Sequence, residues 1–154
     1  MSVPSKAVKR HDIAVNGSDV WRSEFRLRFG DLDGLGHLTA SAYLALFEET
    51  RSAWMTGTLD IAYPNYVVAT QHIEYLHEVT PDAGAVSIEL AVSEVRASSF
   101  RVVEHLSTAA SLCARSTATL VMWDMVARRP RPITSDERAV FEAYLAEPTR
   151  PKAP

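Results

Sequence analysis

Residues 26–54, which read RLRFGDLDGLGHLTASAYLALFEETRSAW, decide the fold. The approach to this stretch alternates apolar and charged side chains, with Phe25 and Phe29 on one face and Arg26 on the other. A period of two is typical of a half-buried strand. The sequence therefore predicts a strand that ends at Gly30.

A turn with two carboxylates follows this strand. Asp31 and Asp33 stand among Gly30, Gly34 and Gly36, whose missing side chains allow tight turns and close approaches of the backbone. Two carboxylates so close in sequence could raise one another's proton affinity. We expect Asp31 to act as a structural cap of the turn.

After the turn the apolar period changes to that of a helix. Thr39 is the predicted N-cap, and Gly57 is the predicted C-terminal stop. Tyr43, Phe47 and Trp54 share one side, and other apolar residues cover more of the circumference. The pattern indicates a long helix enclosed by the rest of the fold.

A carboxylate turn that leads into a buried helix also has chemical consequences. The first amides of a helix lack intrahelical acceptors and lie at the positive end of the macrodipole. An oxyanion that develops near residues 39–41 would therefore be stabilised. This arrangement favours acyl chemistry.

The segments FGDLDGLGHL (29–38) and YLALFEETR (43–51) resemble the hotdog-fold acyl-CoA thioesterases of the 4-hydroxybenzoyl-CoA thioesterase-like family. The resemblance implies that Asp33, the second aspartate of the turn, is the catalytic carboxylate. It also implies that the backbone amide of Ala40 donates to the oxyanion. A Gly-x-Ser-x-Gly motif, which would indicate a serine hydrolase, does not occur in the sequence.

His37 is a further candidate catalytic residue. Relatives among the plant acyl-carrier-protein thioesterases have an asparagine two residues after the aspartate and a histidine four residues after it. The corresponding residues here are Leu35 and His37, so only the histidine is kept. Many relatives also have two asparagines where this chain has Thr39 and Ala40. The sequence leaves open whether their loss impairs activity.

The resemblance also suggests residues that bind the substrate. The bend at Ser98 and Ser99 is similar to one that relatives place near the pantetheine arm of the substrate. Tyr43, Phe47 and Tyr66 are candidates for the walls of an acyl pocket, although packing in the core is an alternative role for each.

The rest of the chain predicts an antiparallel sheet and a second helix. Predicted strands span 67–76, 85–95, 100–108 and 112–126. Thr134 and Glu137 form a capping box before the second helix. One long helix with successive antiparallel strands is an α+β arrangement, and the resemblance implies a hotdog fold, in which the sheet wraps around the central helix. We expect one domain over 19–147, a flexible leader over 1–18 and a disordered tail over 148–154.

Composition excludes several classes of protein. The chain has 154 residues, 47% of them hydrophobic, which suits one domain with a sizeable core. Its net charge of -3 gives no basic footprint for nucleic acid. No apolar run is long enough for membrane insertion, and the one cysteine agrees with a reducing compartment. We therefore expect a cytoplasmic protein, and the resemblance implies a homodimer or homotetramer.

Other acidic residues and histidines offer alternative sites. Another branch of hotdog thioesterases uses an acidic residue on the central helix, which would be Glu48 or Glu49 here, whereas a plain surface role would pair Glu48 with Arg51. His72 and Glu74 share a strand face but lack a third ligand at a diagnostic spacing, so we predict no metal site.

Together these observations predict hydrolysis of an acyl-CoA to the free acid and CoA. Asp33 would act as nucleophile or general base, helix amides would form the oxyanion hole, and no cofactor would be needed. The alternatives are an acyl-carrier-protein thioesterase, a hotdog module that binds acyl thioesters without cleaving them, and a hotdog dehydratase or hydratase.

Overall fold

The computed structural model describes residues 19–145, so the expected leader and tail lie outside the described residues. These residues form six strands and two α-helices. The strands are β1 (Trp21–Arg26), β2 (Tyr66–Tyr75), β3 (Ala85–Val95), β4 (Ser99–Ser107), β5 (Leu112–Asp124) and β6 (Arg129–Pro130). The helices are α1 (Ala40–Leu59) and α2 (Ser135–Ala143).

The strands form one antiparallel sheet in the order β1-β3-β4-β5-β2, with the short β6 paired to β5. Hairpins join β3 to β4 and β4 to β5, as the turn signals between them predict. The strand β2, which follows α1 in the chain, pairs only with β5 among the described strands. It therefore lies at one edge of the sheet. The prediction of an α+β fold with a helix against an antiparallel sheet is confirmed.

Helix α1 packs against the sheet through one side. Its N-cap is Thr39, as predicted, whose hydroxyl accepts a hydrogen bond from the amide of Ala42 at 3.1 Å. Buried side chains recur three or four residues apart along the helix, which is the spacing of one helical face. They are Ala42, Tyr43, Leu46, Phe47, Thr50, Arg51, Trp54 and Met55. The expected enclosure is only partial, since Leu44 and Ala45 are exposed as well as the glutamates of the helix.

Helix α2 closes the far end of the core. The predicted capping box is present, with the amide of Glu137 donating to Thr134 and the Glu137 side chain accepting from the Thr134 amide. Phe141 is fully buried and stacks on Phe100 with ring centroids 4.4 Å apart. Trp54 of α1 packs against both rings, so an aromatic cluster joins the two helices to the sheet.

Two predicted boundaries are wrong. The first strand ends at Arg26 rather than Gly30, and Phe29 lies in a short 3-10 turn with its side chain 96% exposed. Helix α1 passes through Gly57 and ends at Leu59, where Asp60 adopts a left-handed conformation at the C-cap. Asparagine and aspartate tolerate that conformation better than most residues. Asp60 therefore ends the helix, which is the role predicted for Gly57.

Candidate active site

The turn holds the Asp33 carboxylate with its own backbone. Its Oδ1 atom accepts hydrogen bonds from the amides of Leu35 at 2.8 Å and His37 at 3.0 Å. The Asp33 amide donates in return to the carbonyl of His37 at 2.8 Å. The hydrogen bond from the His37 amide is the main cause that lowers the pKa of Asp33 from its usual value. The carboxylate is therefore ionised, fixed in direction and exposed to solvent.

Asp31 has the structural role expected of it. Its Oδ2 atom accepts a hydrogen bond from the Arg28 amide at 2.9 Å and thereby caps the 3-10 turn. Its carbonyl accepts from the amide of Thr39 at 2.9 Å. This bond ties the turn directly to the start of α1.

The N-terminus of α1 offers free donors beside this turn. Ala40 is the first residue of the helix, and neither its amide nor that of Ser41 donates a hydrogen bond to any residue between 19 and 145. Both amides lie at the positive end of a 20-residue helix. They can therefore donate to an oxyanion formed close to the turn.

The His37 side chain contacts a residue that the sequence did not single out. Its Nε2 atom lies 2.8 Å from Oε2 of Glu78, and both side chains are substantially exposed, by 39% and 64%. Glu78 lies just after β2, and the neighbouring Val79 accepts a hydrogen bond from the amide of Leu38 at 3.0 Å. The His37–Glu78 pair thus connects the aspartate turn to the end of β2. Nothing local in the sequence identifies Glu78, because its partner comes 41 positions earlier.

A cavity of about 260 Å³ opens next to the turn. Its lining includes His37 and Glu78 at the polar side, and Tyr43, Tyr75 and Leu76 at the apolar side. The rings of Tyr43 and Tyr75 meet edge to face, with centroids 5.0 Å apart. Burial raises the pKa of Tyr43 to about 12, so its hydroxyl keeps its proton at physiological pH.

The other candidate binding residues do not line this cavity. Phe47 is fully buried in the core cluster that also contains Leu106, which places it among the packing residues. Tyr66 is at the opposite end of β2, where it pairs with Met122. Ser98 and Ser99 lie at that same distant end, since the amide of Met122 donates to the carbonyl of Ser98. Ten residues of strand correspond to about 30 Å, so a single chain does not bring these residues to Asp33.

The acidic residues of the central helix lie away from the turn. Glu48 and Glu49 are exposed, and the expected pair between Glu48 and Arg51 is not formed. Instead Arg51 is buried and makes two hydrogen bonds of 2.9 Å to the buried carboxylate of Glu104 on β4. Burial raises the pKa of Glu104, and the guanidinium opposes that effect. The prediction failed because a desolvated guanidinium requires a carboxylate partner inside the core.

The described residues also bear on other classes of function. Among residues 19–145, His, Cys, Asp and Glu side chains form no group of three that could hold a metal ion, and His72 and Glu74 are exposed on β2. Over the same residues, neither helix has the length and apolar character needed to cross a membrane.

Apolar side chains remain exposed around the turn and along the sheet edge. Phe29 is 96% exposed and Leu35 is 79% exposed, on either side of Asp33. Further large apolar residues are exposed along β2 and immediately after it, namely Val67, Val68, Tyr75 and Leu76. Exposed apolar surface that is continuous with an unpaired strand is typical of an interaction surface.

Comparisons with known proteins agree with this fold. The chain is similar to a thioesterase superfamily structure from Jannaschia sp. CCS1, with 27% identity, coverage of 79% of this chain and 80% of that one, and a TM-score of 0.70. A predicted thioesterase from Bacillus stearothermophilus shares 19% identity over 84% of this chain and 99% of its own, with a TM-score of 0.75. A thioesterase from Thermus thermophilus, solved with coenzyme A and Zn, shares 24% identity over 88% of this chain and 100% of its own, with a TM-score of 0.71.

No curated protein sequence matches this chain. The predicted hotdog fold is confirmed by the structures that superimpose on it. Residues 27–141 match the thioesterase-like superfamily, and this match spans the aspartate turn, α1, most of α2 and five of the six strands. The chain therefore belongs to the thioesterase-like superfamily and is a thioester hydrolase.

Proposed function

We propose that this protein hydrolyses acyl-CoA thioesters through Asp33, with no cofactor other than the CoA of the substrate itself. The observation that carries the proposal is the position of an ionised, backbone-held carboxylate beside the free amides of Ala40 and Ser41. CoA is favoured as the carrier because similar structures from Thermus thermophilus and Staphylococcus aureus were solved with it.

Two routes lead from this arrangement to the same products. As a general base, Asp33 takes a proton from water while the oxygen of that water attacks the thioester carbonyl. As a nucleophile, Asp33 attacks the carbonyl itself, and water then hydrolyses the resulting anhydride. In both routes the amide of Ala40 stabilises the oxyanion, the carbon–sulfur bond breaks, and the thiolate of CoA leaves and is protonated.

The test is thiol release from a panel of aliphatic and aromatic acyl-CoAs by wild type and Asp33→Asn. We expect the substitution to lower kcat by about 10²- to 10⁴-fold, the usual contribution of a catalytic base. Asp124→Asn is the matched control, because Asp124 also accepts two backbone hydrogen bonds, from Val126 and Ala127, but at the far end of the sheet. That control should keep wild-type activity.

Four results would contradict the proposal. Equal activity of wild type and Asp33→Asn would exclude Asp33, and loss in Glu48→Gln would then favour the acid on the helix. Cleavage of acyl-carrier-protein thioesters alone would exclude CoA as the carrier. Binding of acyl-CoA by wild type with no product would leave the non-catalytic module, and an enoyl or hydroxyacyl product would indicate a dehydratase or hydratase.

The pH dependence of kcat/KM tests Asp33 as the base. Because the backbone hydrogen bonds lower the pKa of Asp33, its basic form persists below the ordinary value of 3.8. The acid limb of the profile should therefore inflect below pH 3.8. An acid limb well above that value would instead exclude Asp33 as the base.

We also propose a homodimer formed through the edge strand β2. This strand has ten residues, exposed apolar side chains and one side without a partner among the described strands. Antiparallel pairing of β2 with a second copy about a two-fold axis puts the Tyr66 end of one strand beside the Tyr75 end of the other. Tyr66, Ser98 and Ser99 of the partner subunit would then approach Asp33.

Mixing two inactive variants tests whether the site is shared. We expect Asp33→Asn and Ser98→Phe each to be inactive alone, the second because a bulky side chain blocks the pantetheine path. After unfolding and refolding together, half of the dimers are mixed and one of the two sites in each is intact. Activity should then return to about a quarter of wild type. No gain on mixing, or full activity of folded Ser98→Phe, would contradict the shared site.

A further inference from the structure

The hairpin between β5 and β6 contains a strained residue. Residues 125–128 form its turn, and the Oδ1 atom of Asp124 accepts hydrogen bonds from the amides of Val126 at 2.9 Å and Ala127 at 2.8 Å. Arg128 has a φ of 56°, in the left-handed region. Residues other than glycine, asparagine and aspartate enter that region at a cost. The backbone favours glycine at this position, so an arginine here points to a function of its side chain.

Arg128 and the adjacent Arg129 are exposed cations without a carboxylate partner. Neither forms an ion pair with any residue of the described chain, whereas nearby Arg131 pairs with Glu137 at 2.7 Å. Backbone amides of the turn are the main cause that lowers the pKa of Asp124, and Arg129 adds a smaller effect, so that carboxylate is already engaged by the turn. Two guanidinium groups thus remain available to an anion, and their paired donors match the oxygens of phosphate.

The proposed dimer places this hairpin close to the reacting groups of the other subunit. The Trp123 amide donates to the carbonyl of Asn65 at 2.9 Å, so the hairpin extends past the Tyr66 end of β2. Antiparallel pairing of β2 puts that end beside the Tyr75 end of the other copy, from which the chain continues to the partner subunit's Glu78. The strand β5 and the other copy of β2 are then two strand spacings apart, or roughly 10 Å. The hairpin therefore borders the site of the other subunit.

CoA is an anionic ligand whose phosphates lie at the end remote from the thioester. The chain itself carries a net charge of -3, so such a ligand needs local positive charge for binding. In the proposed dimer the pantetheine arm passes Ser98, whose carbonyl accepts a hydrogen bond from the amide of Met122 at 2.9 Å. Met122 lies only three residues before the turn of the hairpin, so the arm leads toward Arg128 and Arg129.

We propose that Arg128 and Arg129 of one subunit bind the phosphate groups of the CoA whose thioester is cleaved at Asp33 of the partner subunit. The inference rests on the proposed hydrolysis and the proposed dimer, and it adds the part of the site that recognises the carrier. Because both arginines are exposed, each contact contributes modestly and is screened by salt. Arg128 thus lowers the stability of the hairpin and strengthens the binding of substrate.

The first test is the affinity for free CoA, the product, measured by titration calorimetry. Arg128→Gly should raise the Kd of CoA about fivefold, the effect of one charge-assisted contact at an exposed position. Its Tm should nevertheless rise by about 2–4 °C, because glycine relieves the left-handed residue. Arg129→Gln should raise the Kd by a similar factor. A higher Tm with an unchanged Kd in Arg128→Gly would overturn the proposal.

Three control variants separate the contact at the hairpin from strain, net charge and the turn itself. Asp60→Gly replaces the other non-glycine residue of the described chain with a left-handed backbone, and should raise the Tm without weakening CoA binding. Arg101→Gln removes a guanidinium that already lies 3.5 Å from Glu94, and should change the Kd less than about twofold. Asp124→Asn keeps the turn, since the side-chain oxygen of asparagine accepts the same hydrogen bonds, and should not weaken CoA binding. A loss in any control equal to that in Arg128→Gly would overturn a contact specific to the hairpin.

Comparison of carriers tests whether the phosphates are recognised. For Arg128→Gly, kcat/KM should fall about fivefold with an acyl-CoA and stay unchanged with the same acyl group on pantetheine, which lacks the nucleotide phosphates. The tip of the hairpin also exposes Met125 and Val126, by 61% and 94%, so an acidic carrier protein is the competing partner. A loss confined to acyl-carrier-protein thioesters would overturn recognition of CoA, as would an equal loss with acyl-pantetheine.

Mixed dimers test whether the arginines act on the site of the other subunit. When Asp33→Asn and Arg128→Gly are unfolded and refolded together, each mixed dimer contains one site with an intact Asp33 and an intact Arg128 from different chains. A fraction of the activity should then show the KM of wild type. If all activity kept the raised KM of Arg128→Gly, the placement across the dimer would be refuted.

Binding of CoA without turnover separates this inference from the proposed function. If wild type released no thiol but Arg128→Gly still weakened CoA binding about fivefold, the proposed hydrolysis would fail and the phosphate site would stand. If wild type released thiol while acyl-CoA and acyl-pantetheine responded equally to Arg128→Gly, the hydrolysis would stand and the phosphate site would fail.

Discussion

Two side-chain pairs of nearly equal length lie at different depths in the fold. Arg51 and Glu104 approach to 2.9 Å in the middle of the core, with their side chains 1% and 0% exposed. His37 and Glu78 approach to 2.8 Å beside the aspartate turn, in contact with solvent. Water screens the second pair and is absent from the first, so equal distances carry very different energies.

The buried pair and the exposed pair have different roles in this fold. The buried pair joins α1 to β4 within the core, and the hydroxyl of Ser116 also hydrogen-bonds to Glu104. Removing one member leaves a charge that nothing in the core can solvate. The exposed pair instead holds a surface turn that carries Asp33. The buried pair therefore stabilises the domain, whereas the exposed pair positions the candidate site.

The largest effect is expected at the buried pair. Glu104→Ala should lower the free energy of unfolding by about 3–5 kcal/mol, because the Arg51 guanidinium is left buried without a counter-charge. Urea unfolding measures this loss. The double variant Arg51→Met with Glu104→Leu should be more stable than the single one, since both charges are removed together. If the free energy of unfolding of Glu104→Ala lay within about 1 kcal/mol of that of wild type, this would show that water reaches the pair.

A half-buried contact should have an intermediate effect. Thr39→Ala removes the hydroxyl that accepts from the Ala42 amide and should cost about 1 kcal/mol in the free energy of unfolding. Thr39→Ser keeps the hydroxyl and is the control, with a cost of only a few tenths of a kcal/mol, or about zero. Equal losses in the two variants would mean that the methyl group of Thr39, and not its hydroxyl, stabilises the start of the helix.

The smallest change in stability is expected at the exposed pair. Glu78→Gln should change the free energy of unfolding by less than about 1 kcal/mol, because both side chains are solvated. Its effect should appear in kcat instead, since His37 positions the turn that holds Asp33. Glu74→Gln, which alters another exposed glutamate just before the end of β2, is the control. A loss of stability as large as that of Glu104→Ala would remove the distinction between the two pairs.

The elements that the sequence predicted well are those with signals a few residues apart. The bounds of β3, Ala85–Val95, agree with the prediction because strict alternation lies between two turn signals. Thr39 and the Thr134–Glu137 box were also identified from spacing alone. The β1 boundary was missed because Phe29 continues the alternation although the backbone has already turned.

The candidate site was predictable in part, for the same reason. Asp33, His37, Ala40 and Tyr43 fall within eleven residues, so a turn and the first helical turn keep them together. Tyr66 and Ser98 carry no local signal of their distance from Asp33, because that distance depends on the order of the strands. Glu78 was missed because an exposed glutamate has the same appearance in sequence whether or not it meets a histidine.

By itself, the sequence determined the aspartate turn, the capped central helix and most of the strands, because turns, caps and alternation depend on neighbouring residues. Only the tertiary structure decided that Arg51 pairs with Glu104, 53 residues away, rather than with nearby Glu48. It also decided that β1 lies beside β3 and that β2 forms an edge. These choices follow from burial and desolvation, which depend on how the whole chain closes around its core.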